Sequence, residues 1–201
     1  HTGEAIHVQF FTGNTTSFAD ISNNTASNNN RNGLVVIGTI PTNMTWPAST
    51  GMPYVLGSTF SVASAATLTL EPGVIVKFDG TASGAVSGSL ISQGTSGSPV
   101  VLTSIKDDSV GGDTNNDGAA SIPTKGNWGN IQVSTGATAI FDYTLLTYGG
   151  CYTYPSGVYG TLYVPGGTLT LRHSTVTQSS GVYNLNYGAI YGTYNATVTI
   201  S

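Results

Sequence analysis

Apolar residues in this chain arrive in short alternating runs broken by glycine, proline and polar corners. The run Ala66–Phe78 is representative: two short apolar strands joined by the turn Glu71-Pro72-Gly73. Alternation with a period of two marks half-buried strands. Helical spacing is absent throughout, and Gly and Pro fall too often for helices. Related segments recur at Phe60–Leu70, at Gly88–Gly94 running to Val100–Leu102, at Gly129–Gly136 running to Ile140–Phe141, at Gly160–Leu171, and at Gly188–Gly192 running to Thr197–Ile200. A short unit repeated in this way hides its apolar face only by stacking on the next copy, which predicts a solenoid. A β-sandwich is the alternative for regularly spaced strands. The mutual likeness of the units, and many Gly-rich corners without the two-residue Asn-Gly or Asp-Gly hairpin signal, favour a parallel β-helix. Upstream, Ile6, Val8 and Phe10 alternate with His7, Gln9 and Phe11, an extended segment followed by the Asn-rich stretch Asn23–Gly33. The expected division is an N-terminal extension over 1–32, a cap with first strands over 33–66, and a β-helix over 67–201 with an insertion loop at about 104–127.

Met44-Thr45-Trp46-Pro47, then Pro53–Gly57, then Ala66–Phe78 resemble bacterial secreted right-handed parallel β-helix repeat proteins, in which a Trp-containing segment and a short capping strand lead into the first full coil. Ser98–Ser104 and Gly126–Ile131 fit the same template. The resemblance covers roughly residues 40–150 and implies an all-β, right-handed parallel β-helix with an N-terminal extended segment and cap. Such families include surface adhesins, exported structural proteins and polysaccharide-active enzymes, so the likeness speaks to fold more than to activity.

Composition narrows the functional classes. Of 201 residues only 7% are charged, with five Lys plus Arg and a net charge of −4. That excludes a basic stripe for nucleic acid and leaves little repulsion between copies. No apolar run is long enough for a membrane-spanning helix. A Ser/Thr/Asn-rich, Lys-poor chain beginning at His1 reads as the mature form of an exported protein, so an extracellular or cell-surface location is expected. Cys151 has no second cysteine to pair with; a buried thiol or an intermolecular bridge are its two readings.

Asp113-Thr114-Asn115-Asn116-Asp117-Gly118 has the oxygen-rich spacing of a calcium loop, with Asp107 and Asp108 just upstream. Thr124 stands where an EF-hand carries its closing Glu, so an isolated structural calcium site at Asp107, Asp108, Asp113, Asn115 and Asp117 is expected, against a solvated turn. Lyase chemistry needs a base such as Arg172, Lys106 or Lys125 beside the carboxylates; no such set and no nucleophile–base pair stands out, so no enzyme is expected. Thr67/Thr69, Thr168/Thr170 and Thr197/Thr199 form Thr-x-Thr pairs in an array that the intervening segments interrupt. Asn14, Asn23, Asn43 and Asn195 lie in glycosylation sequons. Ten of the eleven tyrosines fall between Tyr143 and Tyr194, as core or as a glycan-contact surface.

The last segment, Ala196–Ser201, stops partway through a coil, and a bare strand edge recruits other chains. With residues 1–11 free as a donor strand, the expectation is a self-assembling extracellular structural protein, a head-to-tail homopolymer joined through Ile6, Val8, Phe10, Val198 and Ile200. A carbohydrate-binding or polysaccharide-cleaving β-helix, or a fragment of an adhesin stalk, is the alternative.

Overall fold

The computed structural model describes residues 3–10, 18, 21–150, 160–180, 189–193 and 195–201. Strands β1 (Glu4–Phe10), β2 (Arg31–Ile40) and β3 (Met44–Trp46) come first. The first full coil is β4 (Tyr54–Val62), which runs across two faces, and β5 (Thr67–Leu70). Four further coils repeat the order: β6 (Ile75–Phe78), β7 (Gly84–Val86), β8 (Ser89–Gln93); β9 (Val100–Ser104), β10 (Ile131–Val133), β11 (Thr138–Asp142); β12 (Thr144–Thr147), β13 (Leu162–Val164), β14 (Thr168–Arg172); and β15 (Thr175–Thr177), β16 (Ile190–Gly192), β17 (Thr197–Ile200). No α-helix occurs among the described residues.

Every strand ladder is parallel and joins equivalent strands of successive coils, so the chain is a three-faced parallel β-helix rather than a sandwich. The first face stacks residues 54–56, β6, β9, β12 and β15. The second stacks residues 60–62, β7, β10, β13 and β16. The third runs β3, β5, β8, β11, β14, β17.

Register turns the alternating sequence into columns of like side chains. Ile6, Leu34, Tyr54, Val76, Leu102, Leu146 and Val176 lie one above another on the first face. Met44, Leu68, Leu90, Ala139, Leu169 and Val198 do so on the third, beside Trp46, Leu70, Ser92, Phe141, Leu171 and Ile200. Each large side chain fully removed from water in such a column contributes about 1.5–3 kcal/mol. On the second face Phe60 sits directly over Gly84. A Cβ on Gly84 would lie 2.7 Å from both Phe60 Cε1 and Ile131 Cδ1, so the missing side chain is what admits the ring.

That glycine also corrects the repeat phase. The segment equivalent to Phe60–Leu70 begins at Gly84, not Gly88, which belongs to the corner before β8. With no apolar residue at position 84, the unit's start is blank in the sequence pattern.

The N-terminal extension is corrected as well. β1 is not a detached donor: it pairs parallel with β2 of its own chain, from Ile6 opposite Leu34 to Phe10 opposite Gly38. Phe10 is buried, Ile6 and Val8 pack partly against the core, and His7 and Gln9 face out. The alternation that made residues 5–11 a strand is the same alternation that lets it close its own solenoid. Phe18 adds to this end, its ring edge-on to Phe10, Trp46 and Tyr54, while Trp46 and Tyr54 stack at 4.5 Å. At the opposite end Val198 and Ile200 occupy inward columns yet are 38% and 71% exposed, where Leu169 and Leu171 one coil earlier are 0% and 3%.

Candidate cation site

The long insertion leaves β9 after Ser104 and returns at β10, which begins at Ile131. Its course is less expected. Residues 105–114 run back along the helix axis and lie across the outer side of the first face. The outward column there is Val35, Val55, Lys77 and Thr103. All four are buried, although outward positions normally meet water. Ile105 packs on Val35 and Val55 in a small second core. The strap's far end reaches β2, where Asn32 N–H donates to Thr114 O at 2.7 Å and Asn32 Nδ2 donates to Asp113 O at 3.1 Å. Gly33 is needed at this contact, because a Cβ there would come within 2.7 Å of Pro53 O and Val55 Cγ2.

Lys77 fastens the middle of the strap. Its ammonium donates to Asp107 O at 2.9 Å and to Gly112 O at 2.7 Å. Burial lowers its pKa from 10.5 to about 8, with the nearby Asp107, Asp108 and Asp113 pulling the other way. Sequence reading passed over Lys77 and named Lys106, Lys125 and Arg172 instead; those three are exposed. The apolar neighbours of Lys77 were the available signal, since Val76 and Phe78 point inward and so place residue 77 on an outer face.

Beyond Lys77 the strap gathers carboxylates. Single oxygens of Asp108, Asp113 and Asp117 all lie within 4.8 Å of one another. Asp113 is held by its own turn, accepting from Asp117 N–H at 3.1 Å and Gly118 N–H at 2.9 Å. Asp117 Oδ2 accepts from Asn115 Nδ2 at 2.7 Å and from the Ser121 hydroxyl. Asp108 Oδ1, Asn115 Oδ1 and Asp117 Oδ1 are wholly buried and accept no hydrogen bond. Burial and the negative charge of Asp113 raise the pKa of Asp108, against the opposing pull of Lys77. The ion pairs among the described residues join Arg31 to Glu4 and Asp79, His7 to Glu4, and His173 to Asp142; none reaches the cluster.

Asp107 falls outside this group. Its Oδ2 accepts from the Thr103 hydroxyl at 2.7 Å and its Oδ1 from Ser109, so the side chain anchors the strap's base. Of the expected ligand set, Asp108, Asn115 and Asp117 keep a buried oxygen without a donor, while each Asp113 oxygen already accepts one backbone N–H and has its second lone pair to offer.

The geometry suits a hard cation. Two oxygens on a calcium shell of about 2.4 Å radius are at most about 4.8 Å apart, and buried acceptors without donors are what such an ion satisfies. The amine beside the cluster, Lys77, is engaged by the carbonyls of Asp107 and Gly112. His173 Nδ1 lies 3.0 Å from Asp142 Oδ1 on an exposed corner, stacked on Tyr143, but the adjacent Ser174 hydroxyl donates to the carbonyls of Phe141 and Arg172.

Of the sequons, Asn23, Asn43 and Asn195 are exposed, and Asn43 Oδ1 accepts from Thr67 N–H at 2.9 Å. Asn14, Cys151 and much of the tyrosine-rich stretch lie outside the described residues. The Thr-x-Thr pairs stack in register on the third face as Thr67, Ser89, Thr138, Thr168, Thr197 and as Thr69, Ile91, Ile140, Thr170, Thr199, with the interruptions at Ser89, Ile91 and Ile140.

No known protein family matches the chain, and no curated protein or solved structure matches it either.

Proposed function

We propose that this chain is an extracellular structural protein that adds copies of itself end to end, with calcium bound in the strap as a structural ion. The observation that supports the reading is the exposed apolar face at β17. Among the described residues, the inward columns of the third face run out to Val198 and Ile200, and β17 pairs on one side, with β14. A further parallel coil is the shape that meets β15, β16 and β17 together, and the chain's own N-terminal end offers β1 as an outer strand running in the same direction. Parallel ladders joined in this way are heterologous and do not close, so the product is a polar filament. The low charge leaves copies free to approach. β1 takes part as a docked edge strand rather than as an arm inserted into a neighbour.

The Ser/Thr/Asn-rich composition and an oxygen-only cation site suit calcium-rich surroundings outside the cell. The exposed sequon residues Asn23, Asn43 and Asn195 accommodate glycans in such a setting. Electron microscopy and sedimentation of the purified chain, alongside Ile200→Lys, test the proposal. Concentration-dependent filaments that Ile200→Lys abolishes are expected. A monomer at every concentration overturns it.

A further inference from the structure

We propose that a divalent cation held by Asp108, Asp113 and Asp117 fastens the N-terminal strands β1 and β2 onto the solenoid, so that the order of this end depends on the cation. The inference rests on reading the cluster as a calcium site and adds what binding there does at a distance.

The strap joins parts of the molecule that the coil winding leaves far apart. Its base follows β9, and its tip is hydrogen-bonded to Asn32, at the start of β2. β2 in turn is the strand on which β1 is laid. The ladder holding β2 to β4 is interrupted by a register shift between Val36 and Gly38, and the β1–β2 ladder by another between Glu4 and Ile6. Beyond those ladders and the burial of Phe10, Leu34 and Val36 in the core, two polar attachments hold the N-terminal strands from the side. One is Arg31, whose guanidinium joins Glu4 of β1 to Asp79 beyond β6. The other is the strap tip on the adjacent residue, Asn32.

The cluster is built from both parts of the strap. Asp108 belongs to the base, next to the anchored Asp107; Asp113 and Asp117 belong to the tip, and Asp113 O is itself the acceptor of Asn32 Nδ2. The Asp108 carboxylate has its Oδ1 wholly buried without a donor, as do Asn115 Oδ1 and Asp117 Oδ1. Those oxygens point to a ligand that supplies positive charge from within the loop. A cation shared by base and tip draws them together, and the tip carries its Asn32 contact with it. With the charge removed, three carboxylates within 4.8 Å repel one another and drive base and tip apart.

Hydrogen exchange on the full chain, with calcium and with EDTA, reads the coupling, and terbium luminescence reads the site. At a calcium concentration ten times Kd, amides of β1 and β2 are expected to exchange about tenfold more slowly than in EDTA. Amides of β8 and β11, remote from the strap, are expected to be unchanged and serve as the fold control. Asp113→Asn combined with Asp117→Asn should abolish terbium binding and the calcium effect together. Asn32→Ala, which removes the side-chain bond to Asp113 O and keeps the backbone bond to Thr114 O, should bind terbium normally yet weaken the calcium-dependent protection of β1. Terbium binding with no change in β1 and β2 overturns this inference and leaves the calcium site standing. Absence of terbium binding to the wild-type chain overturns both.

Discussion

Raising the pH from 8 to 10 should stabilise this fold, and Lys77 is the group responsible. The side chain is 0% exposed beneath the strap, and burial brings its pKa from 10.5 down to about 8. In the unfolded chain the same amine keeps its proton up to about 10.4. Between those values the unfolded state binds more protons than the folded state, so the free energy of unfolding rises with pH. The disadvantage of carrying the ammonium is about 3 kcal/mol at pH 8 and about 1 kcal/mol at pH 10, a gain of about 2 kcal/mol. With a urea slope of about 2 kcal/mol/M, the midpoint should move up by about 1 M. Above pH 10 the trend reverses. Tyr54, stacked on Trp46 and donating to Pro47 O at 3.0 Å, has its pKa raised by burial, so the unfolded chain loses this proton first and stability falls. Urea melts in EDTA, followed by tryptophan fluorescence at pH 8, 9, 10 and 11, separate the two limbs. Lys77→Met should flatten the rise and Tyr54→Phe the fall. A wild-type midpoint that stays level from pH 8 to 10, or a rise that survives Lys77→Met, refutes the reasoning.

Other perturbations have equally direct readouts. Gly84→Val drives carbon into Phe60 and Ile131, and overpacking of this kind should cost about 1–3 kcal/mol, visible by calorimetry as a lower Tm. Trp128 stacks on Phe78 at 4.1 Å and donates Nε1–H to Thr147 O at 2.7 Å. Trp128→Phe keeps an aromatic ring but strands that carbonyl, for about 1–3 kcal/mol, whereas Trp128→Ala should cost about 3–5 kcal/mol; in urea melts, no loss for Trp128→Phe would argue against the hydrogen bond, and equal losses against the stack. Saturating calcium, at about a thousandfold over Kd, should raise the stability by about 4 kcal/mol, and Asp108→Asn should shrink that gain in thermal melts.

Much of the architecture was legible because strand alternation and inward columns are the same information. Leu68 and Leu70, then Leu169 and Leu171, announce the third face in the sequence and occupy it in space. The polar, Gly-rich stretch that breaks the alternation after Ser104 lies between β9 and β10. What the alternation does not encode is contact between an irregular segment and a regular one. Nothing along the chain says that residues 105–114 turn back over Val35 and Val55, so the burial of Lys77 was invisible. For the same reason Asp107 looked like a ligand: its partner Thr103 is only four residues away, but the hydrogen bond that claims its carboxylate depends on how the strap leaves β9. β1 read correctly as a strand and incorrectly as a free one, because period two specifies which face is apolar and not whose sheet receives it.

The Asn32–Asp113 hydrogen bond spans 81 residues of chain. During synthesis or export from the N-terminus, the outermost turn emerges long before the segment that latches it. Until residue 113 is present, β2 is held by its ladder to β4 and by the Arg31 ion pairs. For that interval the outward side chains Val35 and Val55 lack their cover from Ile105, and they are the apolar surface a neighbouring chain would meet.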